Sequence, residues 1–281
     1  MNNTILVTGS TGFIGRHLCR QLLERDYDFV APLSRKGSIS TRDYFADAES
    51  INVSHVIHLA ACTFVPHSWE HPAAFIETNV QGTLETLEFA RRKNASVTFV
   101  SAYLYGNTNV NPINESLLPD PNNPYALSKK LAEDICLFYQ REYGMHITII
   151  RPFNIFGPGQ ADHFLIPLLL KQIMTGSNVQ VQSLIPRRDY LYIDDLVDLL
   201  IRTVQHPVAG IFNAGTGRSS SVGDLVQMIA RILNKDVTIN DTGQLRPNEI
   251  LDTVADCAKA RAVFGWEPKV TLEEGITRML F

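Results

Sequence analysis

Short runs of apolar and β-branched residues alternate along the first half of the chain with segments whose apolar residues recur at helical spacing. The apolar runs predict strands buried on both faces of a sheet, at 4–8, 29–33, 56–60, 96–101 and 146–151. The periodic segments predict helices at 13–25, 42–49, 72–93 and 124–143. Strands that alternate with helices form parallel sheets covered on both faces, so the pattern predicts an α/β, Rossmann-type doubly wound sheet.

The alternation of predicted strands and helices becomes less regular beyond Arg151, where Gly and Pro separate shorter elements. We therefore expect a dinucleotide-binding domain over 1–160 and a smaller α/β lobe, mostly for substrate binding, over 161–281. The apolar run at 211–215 predicts a strand that returns to the first sheet. Helical periodicity resumes at 222–233.

Composition narrows the class of partner. The 281 residues are 45% hydrophobic and 19% charged, as in ordinary globular proteins, and the net charge of -4 offers no basic surface for nucleic acid or an anionic membrane. The longest apolar run is short and interrupted by Pro, and the chain starts with a strand instead of a leader, which predicts a cytoplasmic protein. The four cysteines lack C-x-x-C spacing, so we expect buried free thiols and no metal site.

The turn between the first strand and helix reads GSTGFIG and contains Gly9, Gly12 and Gly15. Glycines at this spacing permit a tight turn, close approach of the backbone to a pyrophosphate, and close packing of helix on strand. The N–H groups at the helix start then meet the negative charge. This context predicts a dinucleotide site, whereas a glycine-rich turn without ligand is the alternative.

The end of the second predicted strand carries Ser34, Arg35 and Lys36, where NAD-specific enzymes usually place an acidic residue. Hydrogen-bond donors and positive charge at this position suit a 2′-phosphate. The turn therefore favours NADP(H), with NAD(H) still possible, and a solvated loop is the alternative interpretation.

A candidate for acid–base chemistry lies in the stretch NPYALSKK. Asn123 is a good N-cap and Pro124 suits a first helical turn, so Tyr125 and Lys129 should share one helix face. A nearby ammonium favours the phenolate, which predicts a lowered pKa for Tyr125 and a role as general acid or base. An exposed, charged surface helix is the competing interpretation.

Six motifs occur in order along the chain: GSTGFIG, HLAA at 58–61, NVQGT at 79–83, SAYLYG at 101–106, YALSK at 125–129 and RPFNIFGPG at 151–159. With RRDYLYIDDL at 187–196, RPNE at 246–249 and GWEP at 265–268, the chain resembles the extended short-chain dehydrogenase/reductases that act on nucleotide sugars. The resemblance extends essentially from end to end.

The resemblance implies roles for individual residues. Tyr125 would be the general acid/base, Lys129 would bind the nicotinamide ribose, and Ser101 would hydrogen-bond the reacting oxygen. Cofactor contacts are implied at Gly9, Thr11, Gly12, Phe13, Ile14, Gly15, Ser34, Arg35, Leu59, Ala60, Ala61, Thr63, Tyr125, Lys129 and Pro152. Substrate contacts are implied at Ser101, Asn154, Arg188 and Arg246, the arginines because their fork matches phosphate oxygens. A homodimer is implied through the helices at 72–93 and 124–143.

The motifs leave more than one activity open. Ala102 and Tyr103 stand where dehydratases of the family carry acidic residues, which argues against a 4,6-dehydratase. TFVP at 63–66 and GPGQ at 157–160 look similar to GDP-4-keto-6-deoxymannose reductases, which predicts NADPH-dependent reduction of a nucleotide-linked 4-keto-6-deoxysugar. A UDP-hexose 4-epimerase with retained NAD is the alternative, and a non-catalytic dinucleotide-binding protein is a remote third.

Overall fold

The protein is described by a computed structural model that covers residues 4–32, 38–245 and 249–280. Its strands, in chain order, are β1 (Thr4–Thr8), β2 (Phe29–Val30), β3 (Val53–His58), β4 (Ser96–Val100), β5 (Ile147–Pro152), β6 (Asn154–Phe156), β7 (Asn178–Val181), β8 (Arg187–Tyr192), β9 (Gly210–Ala214), β10 (Ser219–Ser221) and β11 (Thr238–Asp241). Its α-helices are α1 (Phe13–Glu24), α2 (Val65–Glu70), α3 (Pro72–Phe75), α4 (Gly82–Lys93), α5 (Pro124–Tyr143), α6 (Leu165–Thr175), α7 (Ile193–Gln205), α8 (Val222–Ile232), α9 (Ala258–Phe264) and α10 (Leu272–Arg278).

Six of the strands form one parallel sheet in the order β2-β1-β3-β4-β5-β9. Strand order reverses at β1 and β3, as in a doubly wound sheet, where ligands bind beyond the carboxyl ends of the strands. Two smaller sheets, β10-β8-β6 and β11-β7, lie in the second half of the chain. The predicted Rossmann-type α/β fold is confirmed, and β9 lies at one edge of the main sheet.

The hydrophobic core occupies both faces of the main sheet. On one face α1 and α7 pack together, and their buried residues include Leu18, Leu22 and Leu196. On the other face α4 and α5 cover the strands with residues such as Phe89 and Cys136. Burial on both faces explains why the strands are apolar at successive positions.

Two predicted helices differ from the observed elements. The segment predicted at 42–49 is a 3₁₀ helix, Arg42–Ala48. The long helix predicted over 72–93 is interrupted by a π-helical stretch, Ile76–Gln81, between α3 and α4. Within that stretch Asn79 is 1% exposed, and its amide hydrogen-bonds the backbone of Cys62 and the hydroxyl of Ser128. Wide π turns of this kind often occur at functional sites.

The third strand also begins and ends earlier than the predicted 56–60, since β3 ends at His58. The backbone N–H groups of Leu59 and Ala60 donate to the Thr8 hydroxyl instead of to a neighbouring strand. The four cysteines are free, but only Cys136 is buried, so the expectation that all four are buried is wrong. Among helices of the described ranges, none is long and apolar enough to cross a membrane.

Candidate active site

The glycine-rich turn joins β1 to α1, and its glycines lie close to neighbouring backbone atoms. Gly9 has φ +68°, and a Cβ at this position would lie 2.6 Å from the backbone nitrogen of Ala60. A Cβ at Gly15 would lie 2.2 Å from the carbonyl oxygen of Gly9. Gly12 is the N-cap of α1, so the first N–H groups of the helix face the turn. The backbone of residues 9–15 therefore forms a closely packed concave turn, called the cradle below, which a side chain would fill. Such a turn fits a dinucleotide.

A pocket of about 230 Å³ opens beside this turn. It is lined by Gly9, Ser10, Thr11, Pro32, Ser38, Ile39, Tyr44 and Ala60. The Tyr44 hydroxyl donates to the carbonyl oxygen of Pro32 at 3.1 Å, which fixes the ring at the pocket wall. Sequence reasoning missed Ile39 and Tyr44, because no motif surrounds them. Their apolar character in a short segment after the second strand was the available signal.

A buried polar network holds the loop after β3 next to the cradle. Nδ1 of His58 lies 2.8 Å from the Thr8 hydroxyl, and its Nε2 lies 3.1 Å from the Thr83 hydroxyl. Burial lowers the pKa of His58 to about 3, so the imidazole is neutral at physiological pH. Because Thr8 also accepts from the N–H groups of Leu59 and Ala60, this network fixes the loop after β3 relative to the end of β1. The predicted contacts Ala61 and Thr63 follow in the same loop.

The predicted catalytic residues lie at the carboxyl end of β4 and the start of α5. Asn123 caps α5, as predicted, by accepting from the N–H of Ala126 at 2.9 Å. Nζ of Lys129 donates to the carbonyl oxygen of Val100 at 2.6 Å, and the residue after Val100 is Ser101. Ser101 is 4% exposed, and its hydroxyl has no hydrogen-bond partner among the described residues. An unpaired buried hydroxyl is costly, which is consistent with a site shaped for a ligand oxygen.

The protonation states in this cluster differ from the prediction. Burial raises the pKa of Tyr125 to about 12, and burial lowers the pKa of Lys129 to about 8. The ammonium of Lys129 points to the Val100 carbonyl and lies 4.3 Å from the centre of the Phe99 ring. The expectation that Lys129 lowers the pKa of Tyr125 is therefore wrong for the protein alone, since desolvation of the phenol dominates.

Two predicted substrate residues lie on neighbouring strands, since β6 pairs with β8. Nδ2 of Asn154 lies 3.5 Å from the carbonyl oxygen of Asp189, a long contact that leaves the amide available. Nη2 of Arg188 instead lies 2.5 Å from Oε1 of Glu249, so the guanidinium already has a carboxylate partner. The expected free arginine fork is thus not observed. Tyr190, opposite Asn154 in the strand register, is 8% exposed and its hydroxyl has no partner within the described part of the chain.

The remaining predicted contacts are placed as follows. Thr11 lies in the turn, Phe13 and Ile14 start α1, and Pro152 ends β5, all at the carboxyl edge of the main sheet. Ser34, Arg35 and Arg246 lie outside the described residues. In the ranges that the structure covers, no group of three or more His, Cys, Asp or Glu side chains is placed to hold a metal ion.

Comparisons with known proteins agree with this geometry. A model of the NAD dependent epimerase/dehydratase family matches residues 5–215. The GDP-6-deoxy-D-mannose reductase of Pseudomonas aeruginosa is 30% identical over 294 residues, which cover 100% of this chain and 97% of that protein. The structure of RMD from Pseudomonas aeruginosa complexed with NADPH superimposes with a TM-score of 0.92 at 28% identity, over 99% of this chain and 97% of that chain.

An epimerase is similar to nearly the same degree. The UDP-glucose 4-epimerase of Thermotoga maritima, solved with UDP-glucose, gives a TM-score of 0.91 at 30% identity, over 99% of this chain and 97% of that chain. The family match, the glycine cradle and the Ser101, Tyr125 and Lys129 cluster point to one conclusion. The chain is an enzyme of the NAD-dependent epimerase/dehydratase family, within the extended short-chain dehydrogenase/reductases.

Proposed function

We propose that the protein reduces a nucleotide-linked 4-keto-6-deoxysugar with NADPH. The similarity to the Pseudomonas reductase over the full length of both chains supports this reaction. The observation that carries the choice is this match, at 30% identity over 100% of this chain and 97% of the reductase. Burial raises the pKa of Tyr125, so its hydroxyl is protonated at neutral pH and can donate the proton that ketone reduction requires, a property that an epimerase would share.

The chain's own residues then have distinct tasks. The bound cofactor would supply the hydride to the sugar carbon. Tyr125 would donate its proton to the oxygen of that carbon, and the unpaired hydroxyl of Ser101 would hydrogen-bond the same oxygen. Lys129 would stabilise the phenolate that remains, since a nearby cation favours the charged form of an acid.

The residues after Ser101 argue against water elimination. Ala102 has no acidic group, and the hydroxyl of Tyr103 donates to the carbonyl oxygen of Gly106 at 2.7 Å. Burial raises the pKa of Tyr103 to about 12, so it is a poor base at neutral pH. We therefore set aside a dehydratase activity.

A UDP-hexose 4-epimerase is the second candidate, favoured by the similarity to the Thermotoga structure. The two activities differ in cofactor consumption. A reductase should oxidise one NADPH for each keto sugar reduced, which is followed as loss of absorbance of the reduced nicotinamide. An epimerase should interconvert UDP-glucose and UDP-galactose with no net change in that absorbance, and this outcome would overturn the reductase proposal.

A further inference from the structure

Three charged side chains are buried together behind the active-site residues. Lys129 and Glu133 are 3% and 1% exposed and lie four residues apart on α5, so they share one face of the helix. Arg151, on β5, is 2% exposed. Its Nε and Nη2 donate to the two carboxylate oxygens of Glu133 at 2.9 and 2.6 Å. Glu133 is therefore a single buried anion next to two buried cations.

The two cations are held differently. Arg151 forms a two-pronged ion pair with Glu133, and its guanidinium carbon lies 4.9 Å from the centre of the Tyr105 ring. The ammonium of Lys129 contacts the Val100 carbonyl and the face of Phe99, neither of which carries a full charge. The negative charge nearest along its own helix face is that of Glu133, one turn further on.

We propose that Glu133 is a positioning residue that keeps the buried Lys129 protonated, and that Arg151 fixes the Glu133 carboxylate for this task. The inference rests on the proposed function, in which Lys129 acts as a cation beside Tyr125. Inside a protein an ammonium loses its hydration, and a carboxylate close by offsets that loss. Burial lowers the pKa of Lys129 to about 8, and the neighbouring Cys136 and Glu133 act in the opposite direction.

The other titratable groups around Lys129 do not supply this negative charge. The groups that face it are Tyr125, Glu133 and Cys136 on α5, His58 on β3, and Arg151 on β5 through its ion pair. Burial raises the pKa values of Tyr125 and Cys136 and lowers that of His58, so all three are neutral near pH 7. Within this set only Glu133 is an anion.

The test compares the pH dependence of Glu133→Gln with that of the wild type. For each protein, kcat/KM for the keto sugar and the dissociation constant for NADPH are measured between about pH 6 and pH 9. In Glu133→Gln the alkaline loss of kcat/KM and of NADPH affinity should begin about one pH unit lower, with roughly a fivefold defect at pH 8 that recovers toward pH 6. Asp134→Asn is the matched control, because the next residue on α5 is 51% exposed and pairs with Lys130 at 2.7 Å. It should leave the profile unchanged.

A second variant separates the electrostatic role from a structural one, since Glu133→Gln leaves Arg151 buried without its partner. The double variant Glu133→Gln/Arg151→Met removes both partners of the ion pair. The alkaline pH at which its activity falls should lie between the values for the wild type and for Glu133→Gln. Two results would overturn the proposal. One is a loss of kcat/KM in Glu133→Gln that is equal at every pH. The other is a double variant whose activity falls at the same alkaline pH as that of the wild type. If the wild type binds NADPH but reduces no keto sugar, the reductase proposal fails, and the pH dependence of NADPH affinity still decides the role of Glu133.

Discussion

Acidification should destabilise this protein through two histidines buried in the main sheet. His55 lies between the hydroxyls of Ser96 and Thr98, at 2.6 and 2.8 Å, and His58 lies between those of Thr8 and Thr83, at 2.8 and 3.1 Å. Burial lowers the pKa of each to about 3 from an ordinary value of 6.5. Both imidazoles are therefore neutral in the folded protein and become protonated on unfolding once the pH falls below about 6.5.

The sign and size follow from proton linkage. The unfolded chain binds more protons than the folded chain between about pH 6.5 and pH 3, so the stability present above that window is lost as the pH falls through it. Between pH 7.5 and pH 5 each histidine should remove about 2 kcal/mol from the free energy of unfolding, or about 4 kcal/mol for the two.

Urea unfolding at the two pH values measures this loss. His55→Gln should approximately halve the difference between pH 7.5 and pH 5, whatever its effect on stability at either pH. His206→Gln, at an exposed position, is the matched control and should leave the difference unchanged. A wild-type loss below about 1 kcal/mol, or an unaltered loss in His55→Gln, would refute the reasoning.

Four further outcomes are expected. Gly15→Ala should weaken dinucleotide binding at least about tenfold by calorimetry, because its Cβ would meet backbone at 2.2 Å. Gly223→Ala is the control and should leave binding unchanged, because its Cβ would have no neighbour nearer than 3.6 Å. Tyr125→Phe should keep fold and cofactor binding but lower kcat by about a hundredfold or more, and near-normal turnover would contradict its role. A preference for NADPH over NADH should disappear in Arg35→Asp, as measured by the two dissociation constants. Light scattering at micromolar concentration should give a homodimer and not a monomer, since Leu127 and Phe138 expose 45% of their surface on α5.

Local sequence patterns were sufficient to predict those elements whose conformation is determined by neighbouring residues in the chain. The bounds of β1 and α5 agree with the apolar run at 4–8 and the capped periodic segment at 124–143. The position of the glycine turn between strand and helix follows from the same kind of local signal.

Structure that depends on residues far apart in the chain was not predictable in this way. The π-helical stretch accompanies hydrogen bonds that the Asn79 amide donates to the Cys62 carbonyl oxygen and to the Ser128 hydroxyl, which the periodicity of apolar residues does not predict. The raised pKa of Tyr125 reflects burial created by the whole fold, so a rule based on a Lys four residues away gave the wrong direction. The pairing of Arg188 with Glu249 likewise joins residues 61 positions apart.

The proposed hydride transfer to a sugar carbon is tested most directly by isotope transfer from the cofactor. NADPH carrying deuterium at both hydrogens of nicotinamide C4 is incubated with the enzyme and a nucleotide-linked 4-keto-6-deoxysugar, and the product is examined by mass spectrometry and NMR. The proposal predicts one deuterium at C4 of the sugar for each NADPH oxidised. A product without deuterium, or sugar interconversion with the labelled NADPH unconsumed, would contradict it.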